Sequence, residues 1–214
     1  MTQNLINMLA EDLTPTQTLQ TRTFWLLGLL CATVLAAAVV YLYGLRYDFN
    51  RALAEGVMYW KSGLFVSAAL TSMLLIAQLS RPTGKIVKAY ALPLALGIAL
   101  FAQQAVVQAT EMSTSMLIAK SMSNAYSNQC LLAIVTGGIL GSSAMWMFWA
   151  RKIATNNPTL VGALTGMAGS SMAAAAYTLY CSMDTVTYIS LYYIAPIISF
   201  TLIGALVGRR ALKW

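Results

Sequence analysis

Three cysteines and no histidine set the chemistry open to this chain of 214 residues. Without imidazole there is no Ser-His or Cys-His nucleophile, no His-ligated haem and no ordinary catalytic zinc site. Cys31, Cys130 and Cys181 form no CxxC spacing, which excludes a thioredoxin-type centre and an iron–sulfur ligand set. Cys31 sits among Leu, Ala and Val and reads as a small apolar residue. Cys130 and Cys181 are different. Two thiols held at one depth and facing an oxidising compartment can close a disulfide or bind a soft metal. A second candidate is polar: Gln104, Gln108 and Glu111, four and three residues apart, share one helical face. That stripe would line a pathway or, more simply, tie helices together through amide hydrogen bonds.

The elements that position these groups follow from composition. Hydrophobic residues make up 59% of the chain and charged residues 9%, against about 25% charged in a soluble domain. So much apolar surface must face lipid, and the expected fold is all-α, an integral membrane bundle of six transmembrane helices. The charges mark its boundaries. There are 23 uncharged residues between Arg22 and Arg46, 19 between Lys61 and Arg81, and 22 between Lys88 and Glu111. Each exceeds or approaches the roughly 20 residues that cross the hydrocarbon core. The spans are placed at 24–45, 61–80, 89–110, 130–150, 159–181 and 187–207. Residues 1–22 form a separate N-terminal segment, and 23–214 the membrane domain.

Orientation follows from counting Lys and Arg. Nine fall on the side of the termini and four (Arg46, Arg51, Lys61 and Lys120) on the other, which places both termini in the cytoplasm. The net charge of +7 is in this light a topology signal first. No basic run precedes the first apolar stretch at Phe24, so no signal peptide is expected. Tyr41, Tyr43, Tyr59, Trp60, Tyr188, Tyr192 and Tyr193 are expected as an aromatic belt at the outer interface, with Trp25, Tyr90, Trp149 and Trp214 at the inner one.

Spans four and five then form a hairpin about residues 154–155. Cys130 lies about 24 residues before that turn and Cys181 about 26 after it, so their depths differ by about 3 Å at the helical rise. Equal depth is not facing, since a bridge needs Cα atoms within about 7 Å. From spacing alone, a functional thiol pair and a purely structural disulfide both stand. GxxxG spacings at Gly137/Gly141, Gly162/Gly166 and Gly204/Gly208 favour close helix packing within the bundle over a dedicated dimer interface. They leave the oligomeric state open.

The N-terminal segment carries Leu5, Leu9 and Leu13 at i, i+4 and i+8, with Ile6 beside them, on a short helix ending before Pro15. Alone it is marginal. Docking into a groove on a partner protein would stabilise it, and its lack of Lys and Arg before Arg22 argues against simple adsorption to a bilayer.

Taken in order, these features resemble the NrsF family of six-span membrane anti-sigma factors, negative regulators of sigma F-like extracytoplasmic-function sigma factors. The resemblance runs from L-I-x-x-L-A-x-D-L-x-P (Leu5, Ile6, Leu9, Ala10, Asp12, Leu13, Pro15) through W-K (Trp60, Lys61), R-P (Arg81, Pro82) and the Cys opening span four (Cys130). It continues with N-P-x-x-x-G-A, Y-x-L-x-C-x-x-D and Y-Y, and closes on G-A-L-x-G-x-R-x-L-x-W at Trp214. It implies a regulator at the inner membrane of a Gram-negative bacterium, not an enzyme, with no cofactor and no direct nucleic-acid contact. Its partners would be membrane lipid and a cytoplasmic sigma factor held by Leu5, Ile6, Leu9, Asp12, Leu13 and Pro15. It also implies that Cys130 and Cys181 sense oxidant or heavy metal. Many members carry His before the second cysteine; here Tyr180 stands there, which leaves thiolates as ligands with Asp184 as an acidic neighbour. The rival expectation is a small transporter or channel subunit using the stripe of span three.

Overall fold

The computed structural model describes residues 21–80, 88–111, 127–153 and 157–211, with a few single positions between them. The segment holding Leu5, Ile6, Leu9, Asp12, Leu13 and Pro15 lies outside the described residues. All regular structure among the described residues is helical. In chain order the helices are α1 (Thr21–Tyr43), α2 (Phe49–Ala54), α3 (Val57–Leu79), α4 (Leu92–Glu111), α5 (Ser127–Phe148), α6 (Pro158–Tyr177), α7 (Val186–Ile189) and α8 (Ala195–Ala211), a π turn at Ser190–Ile194 joining the last two.

Among the described residues, six segments are long and apolar enough to cross a membrane: Arg22–Tyr43, Val57–Leu79, Ala89–Glu111, Asn128–Lys152, Pro158–Tyr177 and Val186–Ala211. They match the expected spans to within a few residues, with two informative differences. The second begins at Val57, so Lys61 lies inside a helix rather than at its mouth. The fifth ends at Tyr177, so Cys181 sits beyond it, after a turn and at the start of a stretch without regular secondary structure.

α6 is the axis of the bundle. It is the most buried of the six segments and packs against α8, α5, α3 and α1. Its sequence explains the position: GALTGMAGSSMAAAA lacks bulk, so several backbones approach it closely without any hydrophobic drive between helices. α1 and α4, by contrast, turn Leu26, Leu29, Leu30, Leu92, Leu96 and Val106 outward. A helix apolar all round suits a lipid surround.

The GxxxG spacings are used inside one chain. A Cβ on Gly162 would overlap the carbonyl oxygen of Gly204 and the backbone of Gly208, and one on Gly141 would meet the backbone of Gly169. Because the obstacles are backbone, neither side can yield by changing rotamer. Gly162→Ala is therefore expected to lower the stability of the detergent-solubilised protein by roughly 2–3 kcal/mol. Gly63→Ala, where the new methyl meets open space, should leave it unchanged or slightly raised. Thermal unfolding of the two variants side by side checks this.

Among the described residues, buried apolar side chains form two clusters. One, at the end where α1 begins, joins Phe24, Trp149, Ile153 and Val161. Phe24 and Trp149 are in ring contact at 4.5 Å, so Trp149 is a core residue rather than a belt residue. The second, at the opposite end, contains both Cys130 and Cys181.

Candidate functional site: a buried thiol pair beside an ion cluster

α1 stops where it does because Gly44 takes φ +86° and turns its N–H back to the Val40 carbonyl at 2.9 Å. This is the left-handed cap that glycine adopts without a Cβ penalty. The turn delivers Arg46 to the end of α6, where its backbone N–H donates to the Leu179 carbonyl at 3.0 Å.

The Arg46 side chain is buried and grips two carboxylates. Nε and Nη2 donate to Asp48 at 2.7 and 2.8 Å, and Nη2 donates to Asp184 at 2.9 Å. The guanidinium holds the Asp48 carboxyl below the usual carboxylate range, chiefly through that hydrogen bond. Lys61 reaches the other Asp184 oxygen. It is wholly buried, and its ammonium donates to Cys181 O at 2.8 Å, Met183 O at 2.7 Å and Asp184 Oδ1 at 2.9 Å. A lysine has three donors, and all three are used. It also lies 5.6 Å from the centre of the Tyr193 ring, a cation–π geometry. Two cations and two anions thus neutralise one another, which is the condition under which charge is tolerated in an apolar interior.

This network fixes the stretch carrying Cys181. Gln108 on α4 completes the clamp, donating from Nε2 to Asp184 O at 3.0 Å and accepting from Val186 N–H at 2.8 Å. Of the polar stripe expected on the third span, Gln108 is therefore an interhelical tie, while Glu111 is exposed.

Cys130, in the first turn of α5, is completely buried and Cys181 is 4% exposed. Both are free thiols. The two side chains belong to one buried cluster: the neighbouring Cys130 thiol is the largest influence lowering the Cys181 thiol below its ordinary range, burial opposes it, and the Lys61 charge assists it. Around the pair stand Tyr177, Tyr188 and Tyr193, all fully buried. Their three hydroxyls have no hydrogen-bond partner among the described residues. The ring of Tyr193 stacks on Phe65 at 5.2 Å, and that of Tyr177 meets Tyr43 edge-on at 5.8 Å. Buried tyrosines normally satisfy the hydroxyl. Here three donors are left in the pocket of two sulphurs, a setting suited to stabilising negative charge on sulphur or on an oxygen attached to it.

The π turn is what brings Tyr188 and Tyr193 to one face. In a regular α-helix five residues advance to about 140° from the starting direction; the π turn at Ser190–Ile194 falls between the two tyrosines, and its wider turn narrows that angle. Sequence reasoning placed Trp60, Tyr188 and Tyr193 in an interfacial belt. The structure buries all three, while Tyr41 and Tyr59 do lie on the surface. The available signal was the Y-x-L-x-C-x-x-D and Y-Y spacing, but nothing in it announces a π turn.

Asp184, the acidic neighbour named from sequence, faces Lys61 and Arg46 rather than completing a ligand set. No group of three His, Cys, Asp or Glu residues suited to a metal ion occurs among the described residues.

The family model described as "Negative regulator of sigma F", NrsF, matches residues 9–214. Among curated proteins, the chain is similar to the anti-sigma-F factor NrsF of Caulobacter vibrioides, 28% identical over 173 residues that cover 79% of this chain and 78% of the relative. No solved structure matches it.

Proposed function

This chain belongs to the NrsF family of negative regulators of sigma F, and from that premise we propose that it is an inner-membrane anti-sigma factor with a thiol trigger. The match across residues 9–214 carries this reading. The cytoplasmic N-terminal segment, through Leu5, Ile6, Leu9, Asp12, Leu13 and Pro15, holds an extracytoplasmic-function sigma factor away from RNA polymerase. Both termini are cytoplasmic, and the cluster of Cys130 and Cys181 faces the periplasm. Supporting that orientation is the excess of Lys and Arg at the end of the termini, increased in effect because Arg46 and Lys61 at the other end are neutralised internally.

Oxidation of the thiol pair to a disulfide, or capture of a thiophilic metal by the two sulphurs, shifts the bundle between two states. A stimulus acts only through its different affinity for those states. The site is placed to do so because it joins α5 to the stretch after α6, and through Lys61 and Gln108 it reaches α3 and α4. α6, the axis of the bundle, runs from this site to the opposite end.

The test is affinity capture of the full-length protein, solubilised from its host, beside a version lacking residues 2–20. A sigma factor identified by mass spectrometry with the full chain, and reduced at least tenfold with the deletion, is the expected result. Equal recovery with both removes the assigned binding segment, and recovery with neither removes the anti-sigma reading.

A further inference from the structure

The two thiols are not equivalent in access. Beside them lies a cavity of about 180 Å³ lined by Arg46, Tyr177, Tyr180, Cys181 and Ser182 among others, and Cys130 is not part of its wall. Its rim is open, since Leu45 and Tyr47, which also line it, are 54% and 91% exposed. Cys181 forms part of its lining and is 4% exposed, whereas Cys130 presents no surface at all. A reagent entering the cavity therefore meets the Cys181 residue before Cys130.

Resting on the thiol-trigger reading above, we propose that Cys181 is the sulphur attacked by a small hydroperoxide entering this cavity, and that Cys130 is the resolving thiol behind it. In the first step the Cys181 thiolate attacks one peroxide oxygen. The S–O bond forms, the O–O bond breaks, and sulphur gives up two electrons. The other oxygen leaves as hydroxide or alkoxide and takes a proton from water in the open cavity. In the second step the Cys130 sulphur attacks Cys181, the S–S bond forms and the S–O bond breaks. The departing hydroxyl leaves as water with the Cys130 proton. Overall two thiols and one hydroperoxide give a disulfide, an alcohol or water, and water.

The surroundings fit each role. The Lys61 ammonium, hydrogen-bonded to the Cys181 carbonyl at 2.8 Å, keeps positive charge beside the attacking sulphur, which favours its thiolate. The unpartnered hydroxyls of Tyr177, Tyr188 and Tyr193 are donors available to the sulfenic oxygen formed in the first step. Cys130, enclosed by those rings, is shielded from solvent reagents yet adjacent to its target.

The experiment uses full-length protein in detergent, with Cys31→Ala throughout, treated with hydrogen peroxide in the presence of a dimedone-type sulfenic acid probe. Peptide mapping should find a Cys130–Cys181 disulfide in the parent and a probe adduct on Cys181 in Cys130→Ser. In Cys181→Ser, labelling of Cys130 should be at least tenfold slower. Comparable or faster labelling of Cys130, or no adduct in either variant while the parent still forms its disulfide, overturns the assigned order and leaves the trigger reading standing. A parent that forms no disulfide under peroxide or under diamide removes the oxidant trigger itself. Two cavity variants test the route independently. Ser182→Phe should slow disulfide formation at least fivefold and Tyr180→Ala should speed it; unchanged rates in both overturn entry through this cavity.

Discussion

Replacing Cys130 and Cys181 together with Ser is expected to reduce induction by oxidant or thiophilic metal from its full extent to none, while repression of the sigma factor persists. The two outcomes separate because the thiols lie in the buried cluster at the end of the bundle remote from Phe24 and Trp149, whereas the assigned sigma-binding segment precedes α1. Ser keeps the volume of Cys nearly unchanged, so the bundle should assemble. What it lacks is the capacity to form an S–S bond and the affinity of a thiolate for soft metals. A reporter driven by the sigma factor's target promoter, read with and without stimulus, checks this. Induction that survives in the double variant would sink the trigger, whichever sulphur reacts first.

The second large effect is expected at Lys61. Lys61→Met keeps the length and apolar stem of the side chain but withdraws donors from Cys181 O, Met183 O and Asp184 Oδ1 at once. Removing one partner of a buried ion pair typically costs 3–5 kcal/mol, because the group left behind remains buried. Asp184 retains Arg46, so the loss should fall in the lower part of that range, about 3 kcal/mol. Lys61→Arg should not restore it, since a planar fork cannot address three acceptors arranged around a single ammonium. Thermal unfolding in detergent measures the cost. Maleimide labelling of Cys181 in the same samples should accelerate as the stretch 181–185 loosens. A variant as stable as the parent, with unchanged labelling, would show that the network does not hold the thiol site.

Much of this molecule is legible in its sequence. The six spans follow from apolar runs bounded by charge, because in lipid a backbone must satisfy its own hydrogen bonds and a helix of about 20 residues is the simplest solution. The packing use of Gly162, Gly204 and Gly208 was equally readable, since small residues at fourfold spacing have one main use in a bundle. The family resemblance was carried by short fixed spacings spread along a chain that is 28% identical to the Caulobacter relative over 173 residues. The expectation that Cys130 and Cys181 lie at one depth came from helical rise alone. The pair does share one buried cluster, although α6 ends at Tyr177 and Cys181 reaches it through a turn.

Other features belonged to the tertiary structure. Sequence counting treated Arg46 and Lys61 as boundary charges. They are instead the two cations of an internal cluster with Asp48 and Asp184, whose members lie up to 138 residues apart. No periodicity or local propensity encodes such a meeting. Tyr188 and Tyr193 read as interfacial aromatics, and the structure instead packs both in one buried cluster with the two cysteines. Amphipathic pattern and length determine what must be in lipid, because those are sums over one segment. Which polar groups meet inside depends on how several segments turn about their axes, and a nearly uniform apolar helix does not specify that rotation. The choice was made by the few strong, directional interactions available: three donors on Lys61, the guanidinium fork of Arg46, and a stack of rings around two sulphurs.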